Sequence, residues 1–121
     1  MRLYALRGAT TVHADERDAI LAATTELMQS LLDRNGLTAE DLVSCLFTLT
    51  PDLHAEFPAV AARNIGFERV PLLCAREVPV PGSVPMVIRV LMHYYAPDAH
   101  VTQHVYLGEA RALRSDLDAA Q

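Results

Sequence analysis

Arg7, Arg63, Arg76, Glu77, Arg89 and Tyr106 are the side chains of this sequence whose types could do chemistry together. Guanidinium groups grip carboxylates through paired hydrogen bonds and keep their charge at any ordinary pH. Several of them beside one carboxylate suit a small ligand that carries more than one carboxylate. The same residues would serve equally as unrelated salt bridges, and spacing leaves both readings open. Arg76, Glu77 and Arg89 fall inside the mostly apolar stretch Val70–Ala96, where a charge is costly unless it is paired, solvated or turned toward a polar ligand. Pro81-Gly82 divides that stretch with a turn, because proline presets the first central dihedral and glycine accepts a positive φ. The turn should bring the Cys74–Glu77 region near the strand Val87–Tyr95, a layout in which Glu77 and Arg89 can meet.

Other chemistries find less support. Of the five histidines, His100 and His104 are spaced like part of a zinc site, but no CxxC or HExxH pattern joins them to His13, His54 or His93. Surface and loop histidines are the expectation, and no metal. Cys74 as a nucleophile would need a base or a cation to lower its pKa. No local signature marks it, so an inert thiol is expected. The absence of GxGxxG, P-loop and GxSxG sequences removes support for a dinucleotide, a nucleoside triphosphate or a serine triad. No cofactor is expected.

A chain of 121 residues suits one domain over residues 1–121 and can bury roughly two-thirds of its unfolded surface. Hydrophobic residues make up 51% of it, which argues against disorder and points to apolar surface hidden in an oligomer. The net charge of −5, from 10 basic against 15 acidic residues, argues against nucleic acid, which needs a basic footprint. Two cysteines in apolar contexts fit a reduced compartment better than a disulfide scaffold. The N-terminal MRLYALRGATT has no apolar signal core, and no apolar run nears the ~20 residues of a membrane span. A soluble, cytoplasmic protein with no membrane partner is expected.

The elements that must position the charged set read as follows. Residues 2–12 alternate loosely as a strand, with Leu3, Ala5 and Thr11 facing one way and Arg7 on their parity. Gly8 marks a bulge or a place where another backbone or a ligand comes close. Asp15 to Arg34 carries the apolar stripe Ile20, Ala23, Leu27, Leu31 of a helix, with acids in its first turn and Asn35-Gly36 as its stop. Thr38 to Asp41 resembles a capping turn, and Leu42 to Thr50 reads as a strand ended by Pro51-Asp52. A loop over His54–Phe57 leads to a short helix that starts at Pro58, carries Arg63 and closes at Gly66. An extended segment Val70–Cys74, a long strand Val87–Tyr95, a short strand His104–Leu107 and a helix-like GEARALR complete the order, and the tail from Ser115 to Gln121 is polar and expected to be loose. This order is an α+β pattern, a mixed or antiparallel sheet with helices on one face.

Several spaced stretches together carry a resemblance: Arg7-Gly8-Ala9-Thr10-Thr11, Thr50 through Pro58, Cys74 with Glu77, Ile88-Arg89-Val90, and His104-Val105-Tyr106-Leu107 followed by Leu113-Arg114. Across nearly its whole length the chain resembles the AroH class of chorismate mutases, the trimeric α+β Bacillus type. The resemblance implies conversion of chorismate to prephenate on the way to phenylalanine and tyrosine, a rearrangement that needs no metal, cofactor or covalent intermediate. Such an enzyme must hold a folded conformer and stabilise charge as the ether bond breaks.

Carried over by position, the resemblance implies that Arg89 donates to the ether oxygen and a carboxylate, and that Glu77 accepts from the ring hydroxyl and holds Arg89. Arg7 and Tyr106 would bind a carboxylate, Cys74 would contact the ring hydroxyl, Phe57 and Leu113 would pack the ring, and Arg63 would sit near the mouth. Leu73 occupies a binding position where relatives often carry Thr, and Val60 one where they often carry Lys. The turn Val80–Ser83 and Pro85 are also less typical. The family's sites form between subunits of a homotrimer whose sheets join in a barrel-like core. The rival readings are an imine deaminase on a similar trimeric architecture and a non-catalytic sensor of an aromatic or dicarboxylate metabolite.

Overall fold

The computed structural model describes residues 1–113. Its elements are β1 (Arg2–Thr11), α1 (Arg17–Asn35), β2 (Leu42–Leu49), α2 (Pro58–Asn64), β3 (Leu72–Arg76), β4 (Val87–Ala96) and β5 (Val105–Tyr106), with 3-10 turns at Ala39–Asp41 and Gly108–Ala110. The five strands form one sheet in the order β3-β2-β4-β1-β5. Both inner pairings of β4 are antiparallel, whereas β3 on β2 and β5 on β1 are parallel. The sheet is therefore mixed, as the α+β pattern predicts. The tail from Ser115 to Gln121 lies outside the described residues.

One face of the sheet carries the core. Leu6 of β1, Cys45, Phe47 and Leu49 of β2, and Ile88, Val90, Met92 and Tyr94 of β4 are buried there with Ile20, Leu27, Met28 and Leu31 of α1 and Ala59 and Ala62 of α2. Both helices thus lie on one face, where their apolar stripes exclude water from the alternate residues of the central strands. Gly8 is what lets α1 close down. A Cβ there would stand 2.9 Å from Leu31 Cδ1, 3.1 Å from Leu27 Cδ1 and 3.2 Å from the Val105 carbonyl. The expected close approach is real, and the approaching backbone is β5.

Several expectations are corrected. Leu3, Ala5 and Arg7 do share a face with Thr11, but β1 buries its even residues, so these four look away from the helices onto an open face. Both parities of β1 are apolar, and composition alone did not say which would meet α1. The helix α1 begins at Arg17, two residues late, because the Asp15 carboxylate is taken by the loop: its Oδ1 accepts the backbone N–H of His54 and of Ala55, each at 2.9 Å. Its end is as read. Gly36 sits at φ 63° and Leu37 N–H reaches back to the Leu32 carbonyl at 2.9 Å. The expected strand His104–Leu107 shrinks to two residues. Gly82 has φ 82° in the predicted turn, yet that turn does not set the Cys74 strand against β4, because β2 pairs with both and lies between them.

Candidate active site

The open face is organised by one row that crosses the whole sheet. Tyr106 pairs with Ala9, Ala9 with Arg89, Arg89 with Thr48, and Thr48 with Ala75. Residues level with one another on adjacent strands share a face, and strands lie about 4.8 Å apart. Tyr106 and Arg89 therefore stand two strand spacings apart, roughly 10 Å between backbones, with the buried Ala9 as a low floor between them. Arg7 is on the same face of β1, paired with Leu91 of β4. Arg7, Arg89 and Tyr106 line one cavity of about 240 Å³, with Leu46, Thr48 and Leu91 completing its walls.

The Arg89 guanidinium is held from the far side. Its Nε lies 2.9 Å from Oε2 of Glu77, and the same oxygen accepts a hydrogen bond from Thr48 Oγ1 at 2.8 Å. Glu77 reaches this position from just beyond β3, where its backbone N–H is anchored on the Leu49 carbonyl at 2.9 Å. The Nε contact is an ion pair more than a directed hydrogen bond, since the buried Nε meets no well-aligned acceptor among the described residues. Its outer nitrogens make no hydrogen bond within those residues, so a ligand in the cavity can take them. Two guanidiniums against one carboxylate leave the cavity net positive, which suits a dianion.

The other predicted residues fall elsewhere. Leu113 is buried against Ala9, Val87 and Ala110, with Tyr106 packed beside this cluster, so it borders the arginine cavity. Cys74 pairs with Phe47 on the helix side of β3 and lines a separate cavity of about 340 Å³ with Phe57. Phe57 and Leu73 are 65% and 66% exposed, and Arg63 points out from α2 with no salt bridge among the described residues. Arg76 is not in the arginine cavity; it lines the one with Cys74 and Phe57, where its Nη1 donates to the carbonyls of Thr50 and Leu53 and fastens the loop that leads to Phe57. Thr48 was missed by sequence reasoning. Its signal was available, for Ser44 and Thr48 are polar at one parity of a strand whose other parity is apolar.

A larger concavity, about 670 Å³, lies between α1 and the Thr10–His13 end of β1. It contains Glu26 and Glu109 and no arginine, so charge favours the smaller cavity for an anion. Among the described residues no three His, Cys, Asp or Glu side chains are grouped as metal ligands, and no helix is long and apolar enough to cross a membrane.

The family described as Chorismate mutase type I matches residues 3–117. The chain is 54% identical over 119 residues to a chorismate mutase AroH of Thermus thermophilus, covering 96% of this chain and 97% of the relative. It is 40% identical over 120 residues to chorismate mutase AroH of Bacillus subtilis, with coverage of 97% and 94%. A solved chorismate mutase from Clostridium thermocellum superposes with a TM-score of 0.87 at 44% identity, over 90% of this chain and 98% of that one.

Proposed function

The chain belongs to the chorismate mutase type I family, and we propose that its rearrangement of chorismate to prephenate takes place over Ala9, between Arg89, Arg7 and Tyr106. The observation that carries this assignment is the grouping of both arginines and Tyr106 in one cavity, with Glu77 paired to Arg89 behind it. In this isomerisation one ether C–O bond breaks while one C–C bond forms, and negative charge gathers on the departing oxygen. No proton must move and no nucleophile is required. Arg89 supplies donors whose place is already fixed by Glu77 and Thr48, so little reorganisation is needed when the charge appears. Arg7 and Tyr106 hold a carboxylate that does not react, which keeps the folded conformer in place.

The remaining assignments belong to the same reading. Phe57, Leu73, Cys74 and Arg63 form the ring-side and entrance wall, supplied by a second copy of the chain, with Leu113 closing the first copy's side. Support comes from the separation of Phe57, Cys74 and Arg63 from the arginine cavity within one chain, and from the open face itself, where Leu3, Leu73 and Tyr95 are 49%, 66% and 50% exposed. A homotrimer would cover that face and complete three sites. The whole chain acts as one domain, and two free cysteines fit a cytoplasmic setting.

The test begins with the purified protein and chorismate, followed by loss of the diene absorbance, with prephenate identified by acid conversion to phenylpyruvate. Saturable conversion is expected. Binding without turnover would replace this reading with a metabolite sensor. Replacing Arg89 by citrulline, which keeps the shape and removes the charge, should lower kcat about 100- to 1000-fold, the usual loss on removing a donor at a developing oxyanion. Near-normal turnover in the folded variant would remove Arg89 from its role.

A further inference from the structure

The strand that carries Tyr106 is the least secured element near the cavity. β5 contains only Val105 and Tyr106, pairs on one side with Gly8 and Ala9, and follows residues 97–104, which form no helix or strand. Beyond it, Leu107 N–H donates to the Ala9 carbonyl at 2.9 Å. So short a ladder fixes an edge strand poorly by itself.

Two side chains make up for this at the positions just before β5. The buried amide of Asn35, at the end of α1, receives the backbone N–H of Gln103 on Oδ1 at 2.8 Å and donates Nδ2 to the Gln103 carbonyl at 2.9 Å. Its Nδ2 also reaches the Leu31 carbonyl at 2.9 Å. An amide, with an acceptor oxygen and a donor nitrogen side by side, can accept from and donate to the backbone of one residue at once. The next residue, His104, accepts the backbone N–H of Arg7 on its Nδ1 at 3.0 Å. One substrate-binding strand is thus tied to the other by an imidazole, two residues ahead of Tyr106.

We infer that Asn35 and His104 are positioning residues for substrate capture, clamping β5 so that Tyr106 stands at a fixed place beside Arg7. The inference rests on the proposed roles of Arg7 and Tyr106. Because the carboxylate they hold does not react, loosening them weakens ground state and transition state alike, which raises KM and spares kcat.

The test uses the full-length protein and chorismate kinetics. His104→Ala should raise KM about tenfold with kcat within about twofold of the parent. His104→Asn, whose Oδ1 can take the place of Nδ1, should return KM to within about twofold. Asn35→Asp sets an oxygen against the Gln103 carbonyl and should act like His104→Ala. Amide exchange at Leu107 should quicken in His104→Ala and not in His104→Asn, a readout independent of turnover. Arg7→Ala and Tyr106→Phe serve as references. If they raise KM while His104→Ala leaves KM and exchange unchanged, the clamp is overturned. If neither reference variant alters KM, the assignment of Arg7 and Tyr106 fails and the clamp falls with it. A drop in kcat that tracks lost folded protein, with no rescue by Asn, would make His104 merely structural and also overturn the inference.

Discussion

Replacing Gly8 by Ala tests how the sheet, the helix and the site are joined. Gly8 has an ordinary extended backbone, so the added methyl causes no conformational strain of its own. It would meet Leu31 Cδ1 at 2.9 Å, Leu27 Cδ1 at 3.1 Å and the Val105 carbonyl at 3.2 Å. The leucine methyls can turn aside, but the carbonyl recedes only if β5 moves. Overpacking of this kind costs about 1–3 kcal/mol, and the ~0.5–1 kcal/mol that Ala usually gains over Gly in a strand offsets part of it. The expected loss is about 1–2 kcal/mol. With an unfolding entropy of roughly 2.1 cal/mol/K per residue over 121 residues, Tm should fall by about 4–8 °C. Thermal melts followed by circular dichroism at fixed protein concentration would measure it. Chorismate kinetics below the transition should show a raised KM, because Tyr106 moves with β5. An unchanged Tm together with an unchanged KM would refute the close-packing account of Gly8.

Three further outcomes follow from particular contacts. Thr48→Val removes the hydroxyl donor to Glu77, so Arg89 is held less firmly, and kcat should drop about tenfold with little change in KM. The thiol of Cys45 is pushed up to about 12, first by burial and then by the neighbouring Cys74; a thiol reagent near neutral pH should leave Cys45 unmodified until the protein is unfolded. Partial burial and the Arg7 charge hold the pKa of His104 below its ordinary 6.5, while Asn35, ahead of it on α1, carries no charge. The unfolded chain therefore binds this proton first on acidification, so stability is full above the ordinary value and is lost as pH falls toward the folded one. Chemical denaturation at about pH 7.5 and about pH 5.5 should show a smaller acid loss for His104→Asn than for the parent.

The long elements were legible because they repeat a period many times. α1 presents its stripe over 19 residues, and β4 is a 10-residue run of mostly branched and aromatic residues, polar only at Arg89 and His93 of one parity, so local irregularities do not hide either pattern. β1 was legible as a strand but not in its orientation. Leu3 and Ala5 look as apolar as Leu6, and only the arrival of α1 over Gly8 decides which parity is core. β5 was overestimated at its start because Gln103 and His104 are fastened through side-chain hydrogen bonds, Gln103 to the Asn35 amide and His104 to the Arg7 backbone, and not by a ladder. In the site, the residue types of Arg7, Glu77, Arg89 and Tyr106 pointed to a carboxylate ligand. Their convergence depends on strand order, and that is set by pairings far apart in the chain. The same dependence explains why Cys74, so close to Glu77 in sequence, turns to a different cavity. Asn35 looked like a helix stop, a task that Gly36 performs alone.

Arg89 sits on β4, the middle strand, bonded on both sides, whereas Tyr106 sits on an edge strand two residues long. On the roles proposed for Arg89 and Tyr106, barrier height and substrate capture are entrusted to parts of the sheet with very different tolerance to change. Substitutions in residues 97–104 would then retune the enzyme to a scarcer or richer supply of its substrate while leaving the rate-setting centre alone. Descendants of this chain that diverge in that segment should share a turnover number and differ in half-saturation, so the enzyme can adapt to a new metabolic setting without rebuilding its chemistry.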